Sequence, residues 1–158
     1  EVGCIGENYY EAILKSMLSV GHRIPKKNIL ISSGPTRSKV ELLNSTRMLI
    51  EKGYNTYSTA GTAKFFKENG IDTQILYWPD EDKEPNIMEY LHDRRIDLVI
   101  NIPKNHTKRE LDNGYKIRRA AVDYNIPLIT NARLASAFIY AICKVDPTEI
   151  AIKSWDEY

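Results

Sequence analysis

Short apolar runs alternate with amphipathic stretches along most of the chain. The apolar runs occupy residues 29–31, 54–57, 73–77, 97–102 and 127–130, and their length is typical of buried strands. Apolar residues at helical spacing predict helices over 40–50, 63–68, 87–93, 115–124 and 134–143. Strands that alternate with helices form parallel sheets covered on both faces. We therefore expect an α/β fold with three α/β/α layers and a five-stranded, parallel, doubly wound sheet.

The first 24 residues follow a different pattern. Apolar residues at helical spacing predict a helix over 9–20, and Gly21 follows where a helix C-terminus often needs a positive φ. Residues 22–27 mix charge with Pro25, which disfavours helix at the residue before it. The chain also starts with Glu1 rather than Met. We expect residues 1–24 to be the tail of a preceding module with its linker, and residues 25–158 to form the domain.

Composition narrows the partner classes. The chain has 158 residues, 42% of them hydrophobic, with 22 Lys and Arg against 21 Asp and Glu, a net charge of +1. So balanced a charge provides no overall attraction for nucleic acid or an anionic membrane, and we expect neither as a partner. The two cysteines, Cys4 and Cys143, form neither a disulfide framework nor a CxxC pair. A reducing compartment, the cytoplasm or the mitochondrial matrix, is the expected location.

Hydroxyl residues and a glycine follow the second predicted strand, in the turn 58–62. Loops at the carboxyl ends of parallel strands line the ligand crevice, and helix N-termini there favour anions. Thr59, Gly61 and Thr62 could therefore close on a phosphate or carboxylate, or the turn could simply cap the next helix. Ser33 repeats this chemistry after the first strand. Lys39 beside it fits either a ligand contact or a solvent-facing lysine.

A basic stretch follows the fourth predicted strand. Residues 104–119 carry a local charge of +4, from Lys104, Lys108, Arg109, Lys116, Arg118 and Arg119 against Glu110 and Asp112. This stretch is either a solvated basic loop or an anion-binding surface. Trp78, beside Pro79, could cover the aliphatic part of a ligand or cap the core. The acidic segment 80–84 has no regular ligand spacing, which indicates a solvated loop rather than a metal site.

Catalytic patterns are sparse in this sequence. His22, His92 and His106 are scattered, so no metal site is expected. The chain contains no GxSxG motif, no P-loop and no complete GxGxxG. No carboxylate directly follows the fourth strand, where a base acting on a phosphate ester would be useful; Asn101, Pro103 and Lys104 lie there instead. These observations favour recognition without turnover.

Four segments together carry a family resemblance: the turn 58–62, Asn101-Ile-Pro, 117–123 (IRRAAVD) and 126–131 (IPLITN). With them the chain resembles the methylglyoxal synthase-like superfamily and, more closely, the C-terminal regulatory domain of carbamoyl phosphate synthetase large chains. The similarity covers essentially the whole sequence. Residues 1–7 and 12–18 resemble the end of the ATP-grasp half that precedes this domain in the family.

The resemblance implies an effector pocket and no catalytic residue. The paired threonines of the family match Thr59 and Thr62, its serine and lysine match Ser33 and Lys39, and its strand-end asparagine matches Asn101. The complete expected effector-binding set is Ser33, Lys39, Thr59, Gly61, Thr62, Trp78, Asn101, Lys104 and Asn113.

The resemblance also bears on the effector. Nucleotide-regulated members have a lysine in place of Trp78 and hydroxyl residues in place of Ile102 and Pro103. Trp78, Asn101 and Asn113 are similar to those of members activated by N-acetylglutamate, although Lys104 departs from that pattern. An acidic amino-acid derivative and a different anion both stay open. Methylglyoxal synthases carry an aspartate after the fourth strand, and its absence argues against that lyase activity.

The resemblance therefore implies an allosteric domain that modulates an ATP-dependent ligase producing carbamoyl phosphate for arginine, pyrimidine or urea synthesis. The expected partners are a small anionic effector, the rest of the synthetase large chain and a glutaminase subunit or domain. No cofactor is expected in this domain, whereas the parent enzyme would use ATP, Mg and bicarbonate. Two alternatives stay open: a lyase acting on a triose phosphate, and a scaffold that mediates only self-association.

Overall fold

The computed structural model describes residues 2–103, 107–146, 148, 150 and 153–157. Over these residues, strands and helices alternate as predicted, with a short 3₁₀ turn at Trp155–Glu157. The strands are β1 (Asn28–Ser33), β2 (Asn55–Ser58), β3 (Gln74–Ile75), β4 (Leu98–Ile102) and β5 (Leu128–Ile129). The helices are α1 (Tyr9–Ser19), α2 (Thr36–Glu41), α3 (Leu43–Glu51), α4 (Ala60–Glu68), α5 (Ile87–His92), α6 (Lys108–Asp123) and α7 (Ala132–Lys144).

The described strands form one parallel sheet in the order β3-β2-β1-β4-β5. β1 is central, and the chain runs outward from it first through β2 and then, after crossing back, through β4. The register between β1 and β4 pairs Ser32 with Asn101 and Ser33 with Ile102. The expected five-stranded, parallel, doubly wound sheet is confirmed, and its topological switch point lies between β1 and β4.

The sheet is buried on both faces, as the continuous apolar runs predict. Successive side chains of a strand point to opposite faces, so Ile29 and Ile31 of β1 join one core cluster while Leu30 joins the other. The first cluster includes residues of α1, α3, α4 and α7, such as Phe138. The second includes residues of α5 and α6, such as Ile117. The predicted three-layer arrangement is confirmed.

The prediction of a single helix over 40–50 is wrong. α2 ends at Glu41 and α3 begins at Leu43, with a turn at Leu42 between them. Leu42 is fully buried, whereas α2 contains no buried residue. The turn at this position brings the Leu42 side chain into the core. The backbone amide of Leu42 donates to the carbonyls of both Ser38 and Lys39.

Several predicted boundaries also differ from the structure. α6 starts at Lys108, so most of the predicted basic loop ahead of residue 115 is helical. α4 starts at Ala60 rather than residue 63, which makes Thr59 its N-cap and places Thr62 inside its first turn. β3 and β5 are two-residue edge strands, shorter than the apolar runs that predicted them. Short edges are common because they limit unwanted pairing.

Helix α1 packs against the domain rather than extending away from it. Leu14 is fully buried and Met17 is 9% exposed, and both belong to the same core cluster as residues of α7. Tyr10 stacks on Tyr140 of α7 at a ring-centre distance of 4.0 Å. The assignment of residues 1–24 to a preceding module stays a prediction. None of the described helices has an apolar stretch long enough to cross a membrane.

Candidate functional site

A cavity of about 260 Å³ opens at the carboxyl end of the sheet, at the switch point between β1 and β4. Crevices at this position are where doubly wound sheets bind ligands. Its walls come from the ends of β1 and β4, the start of α4, the loop after β3 and the first half of α6. They comprise Ser32, Ser33, Gly34, Lys39, Thr59, Ala60, Gly61, Thr62, Trp78, Glu81, Asn101, Ile102, Pro103, Arg109, Glu110, Gly114 and Ile117.

The hydroxyl of Thr62 holds the end of β1 against the start of α4. Thr62 Oγ1 accepts a hydrogen bond from the Ser33 amide at 3.0 Å and donates one to the Ser33 carbonyl at 3.2 Å. Thr62 is 1% exposed, so these bonds are formed away from water. The hydroxyl therefore shapes the cavity floor in addition to lining it.

The start of α4 presents backbone amides to the cavity. The Thr62 and Ala63 amides donate to the Thr59 carbonyl, which leaves those of Ala60 and Gly61 as the helix-start donors. The Thr59 hydroxyl makes no capping bond; its Oγ1 lies 3.3 Å from Ser32 Oγ and 3.2 Å from Thr62 Oγ1. Thr59 therefore does not cap α4 through its side chain, and the positive end of the helix faces the cavity.

Ser33 contributes a buried hydroxyl with an unmet hydrogen bond. The residue is 5% exposed, and its Oγ has no partner in the described part of the chain. Buried polar groups are normally hydrogen-bonded because leaving one unpaired costs about 1–3 kcal/mol. An atom of this kind on a cavity wall is positioned to bond a ligand.

Positive charge reaches the cavity from Lys39 on α2. Its Nζ donates to the Gly61 carbonyl at 3.2 Å and lies 5.7 Å from the centre of the Phe65 ring. These contacts hold the ammonium group beside the start of α4, where it adds to the positive end of the helix. The sequence alone left Lys39 undecided between solvent and ligand, and the fold places it on the cavity wall.

Asn101 lies at the end of β4 and is 3% exposed. Its Oδ1 accepts a hydrogen bond from Arg118 Nη1 of α6 at 2.7 Å. Gly114, one helical turn before Arg118, also lines the cavity. The Arg118 guanidinium thus binds the side chain of an asparagine that lines the cavity.

Trp78 and Arg109 close the side of the cavity formed by the loop after β3. The Arg109 guanidinium lies 5.3 Å from the Trp78 ring centre and binds Asp80 through two nitrogens, at 2.5 and 3.1 Å. This contact is the main reason that the pKa of Asp80 falls from 3.8 to about 2. Trp78 lines the cavity and also packs partly against the second core cluster, so it does cap the core. That it covers part of a ligand stays a prediction.

The structure brings together seven of the nine expected effector residues around this cavity: Ser33, Lys39, Thr59, Gly61, Thr62, Trp78 and Asn101. Asn113 is placed differently. Its side chain accepts a hydrogen bond from the Asp80 amide at 3.2 Å and donates one to the Arg109 carbonyl at 3.0 Å, behind the wall. Lys104 lies outside the described residues. The assignment of these residues to effector binding stays a prediction.

Sequence reasoning did not assign Arg109, Glu81, Glu110 or Gly114 to the site. A signal for the first of them exists, because Thr107 and Glu110 have the spacing of a capping box. The Thr107 hydroxyl accepts from the Glu110 amide and donates to its carboxylate, and α6 begins at this point. A helix start there would have predicted that Arg109 faces the sheet edge.

The charges of the site are mixed. Arg109 is paired with Asp80, and Arg119 with Asp123 at 2.9 Å, so part of the excess positive charge of residues 104–119 is neutralised. Two carboxylates, Glu81 and Glu110, also line the cavity. Within the described ranges, no group of three or more His, Cys, Asp or Glu side chains could hold a metal ion.

Comparison with known proteins agrees with this architecture. Residues 41–130 match the family model of the MGS-like domain. The chain is 44% identical over 162 residues to the multifunctional protein CAD of Squalus acanthias, covering 94% of this chain and 7% of that protein. It is 42% identical over 153 residues to the multifunctional protein URA2 of Saccharomyces cerevisiae, covering 91% and 7%.

A third relative is the human mitochondrial carbamoyl-phosphate synthase [ammonia], 38% identical over 149 residues, covering 91% of this chain and 10% of that protein. Among solved structures, methylglyoxal synthase from Elizabethkingia anophelis has a TM-score of 0.51 at 18% identity, over 85% of this chain and 90% of its own. That likeness concerns the fold alone. The expected resemblance is confirmed, and the chain belongs to the MGS-like domain family, in the form found as a segment of carbamoyl phosphate synthetase-containing proteins.

Proposed function

We propose that this domain binds a small anionic effector in the switch-point cavity and thereby modulates an attached carbamoyl phosphate synthetase. The observation that carries the proposal is the buried, unpartnered Ser33 hydroxyl. It lies at the same cavity as the Ala60 and Gly61 amides and the Lys39 ammonium group. Hydroxyl, helix-start amide and ammonium donors in one crevice suit a carboxylate or a phosphate.

The regulatory part of the proposal follows from how such a domain would act within a longer chain. The relatives span far greater lengths than this sequence, which covers 7% of CAD and 10% of the human synthase. An effector shifts a conformational equilibrium only by its difference in affinity for the two states, and the coupling is reciprocal. Ligands of the synthetase sites would therefore change effector affinity. The parent would supply ATP, Mg and bicarbonate chemistry, together with a glutaminase partner.

Isothermal titration calorimetry of the domain tests the binding step. The panel comprises N-acetylglutamate, UMP, IMP, UTP, ornithine and phosphoribosyl pyrophosphate. We expect at least one anion to bind, and a Thr59→Ala variant to bind it more weakly. Absence of binding across the panel, or unchanged affinity in the variant, would contradict the pocket assignment.

A second assay addresses the lyase alternative. The carboxylates at the cavity, Glu81 and Glu110, come from the loop after β3 and from α6, and Glu81 already accepts a hydrogen bond from the Trp78 amide at 2.9 Å. We expect no methylglyoxal when the domain is incubated with dihydroxyacetone phosphate. Methylglyoxal production would overturn the proposal of a domain without turnover. Self-association in the absence of effector binding would favour a scaffold instead.

A further inference from the structure

The Asn101 side chain is held in one orientation by Arg118. Arginine has hydrogen-bond donors and no acceptor, so the asparagine atom 2.7 Å from Arg118 Nη1 has to be the oxygen, Oδ1. Asn101 Nδ2 has no partner within the described ranges, and the residue lines the cavity. A ligand therefore meets the NH₂ group of this amide.

We infer that Arg118 is a positioning residue that sets the specificity of the cavity for anionic groups by fixing the Asn101 amide with its NH₂ toward the ligand. This inference rests on the proposed effector site. A free asparagine amide can rotate by half a turn and offer either a donor or an acceptor. A fixed amide presents a donor only, which favours a negatively charged oxygen over a neutral amide group at the same position.

Gly114 provides the space for this contact. A Cβ atom added at Gly114 would lie 2.9 Å from Arg118 Nη1 and 3.8 Å from Asn101 Oδ1. The first distance is too short for two non-bonded atoms, so the guanidinium occupies the space that a side chain at residue 114 would need. Glycine is unfavourable in a helix interior. A glycine is needed at position 114 because the Arg118 side chain extends across it to reach Asn101 of β4.

Arg119 offers a matched control. It is the next residue on the same helix and carries the same charge, but its Nε binds Asp123 at 2.9 Å on the exposed face. Arg118→Met and Arg119→Met thus remove one charge each, and the first alone releases Asn101. A change in net charge alone would affect both variants, whereas the loss of the Asn101 orientation affects only Arg118→Met. Gly114→Ala, which keeps both charges, separates that loss from the removal of a nearby charge.

The test compares ligands that differ only in an acid or an amide group. Calorimetry would measure the affinities of the unaltered domain, Arg118→Met and Arg119→Met for N-acetylglutamate and for its two monoamides. We expect the preference for the acid over one monoamide to fall by about tenfold in Arg118→Met, as for the loss of a hydrogen bond to a charged group. In Arg119→Met the preference should be unchanged.

Gly114→Ala supplies a second variant that keeps both arginines. It should lower the same preference by displacing the guanidinium, and it provides the test if Arg118→Met does not fold. An unchanged preference in both variants, or an equal fall in Arg118→Met and Arg119→Met, would overturn the inference. It would also fall if the unaltered domain binds none of the three probes. Binding of another anion of the wider panel would in that case leave the proposed function standing.

Discussion

Replacing Thr62 by valine should destabilise the domain through a single lost hydroxyl. The pairing of β1 with β2 ends at Ile31 and Ser58. Beyond it, the Ser33 amide donates a hydrogen bond to Thr62 Oγ1 at 3.0 Å. Valine keeps the volume of threonine but removes that acceptor, so the Ser33 N–H would be buried without a hydrogen bond. The Thr62 hydroxyl is also the donor to the Ser33 carbonyl.

Leaving a buried donor unpaired costs about 1–3 kcal/mol. For a domain of this size that corresponds to a fall of about 2–12 °C in the melting temperature. Urea unfolding followed by circular dichroism would measure the free-energy change, with the slope checked for constancy. The same variant should bind any effector more weakly, because the Ser33 backbone and the start of α4 would no longer be tied together.

Thr46→Val is the control for this experiment. Thr46 is fully buried, and its hydroxyl donates to the Leu42 carbonyl at 2.7 Å. That carbonyl keeps the Thr46 amide as a partner at 2.9 Å, so no buried group is left unpaired. We expect Thr62→Val to lose at least about 1 kcal/mol more than Thr46→Val. Equal losses would refute the reasoning.

Three further substitutions test the ion pair of Asp80, the charge of Lys39 and the packing of α1. Because the pKa of Asp80 is depressed to about 2, its carboxylate stabilises the fold above pH 4, and this contribution is lost as the pH falls through about 2. NMR titration of the Asp80 carboxyl should give that midpoint, and Arg109→Gln should raise the pKa. Lys39→Met should weaken anion binding by about three- to tenfold, and by more at low salt. Lys67 is exposed, and Lys67→Met should leave the affinity unchanged; calorimetry measures both affinities. Leu14→Ala should cost about 2–5 kcal/mol in urea unfolding, because α1 is part of the core; a negligible loss would show that residues 1–24 are separable.

Much of the fold could be predicted from the sequence because its strands are buried on both faces. Such strands are short, continuous apolar runs, and every run marked a strand in the structure. The helix predicted to end at residue 50 ends at Glu51 in the structure, two residues before Gly53, which adopts a φ of +86°. Boundaries failed where polar residues begin a helix, as at Lys108. Periodicity does not mark such a start, although the capping pair Thr107 and Glu110 does.

The residues that the strand ends contribute to the candidate site could be predicted from the sequence, but those that α6 contributes could not. Ser33 and Asn101 lie at the ends of β1 and β4, and Thr59 directly follows β2, so topology alone places the three residues at one edge of the sheet. Arg109 and Arg118 come from a helix face, and the sequence shows only that they belong to a basic stretch. Which cation meets Asp80 and which meets Asn101 depends on how α6 packs across β4.

The sequence by itself determined the class of fold, the carboxyl edge as the place of the candidate site and most of the residues gathered there, because apolar spacing and strand ends are local properties. Only the tertiary structure decided that the Thr62 hydroxyl binds the backbone of Ser33, that the Ser33 hydroxyl is left unpartnered, and that Arg118 passes over Gly114 to orient Asn101. The Thr62–Ser33 and Arg118–Asn101 hydrogen bonds join residues 29 and 17 positions apart. Their geometry depends on the packing of α4 and α6 against the sheet, which no local pattern specifies.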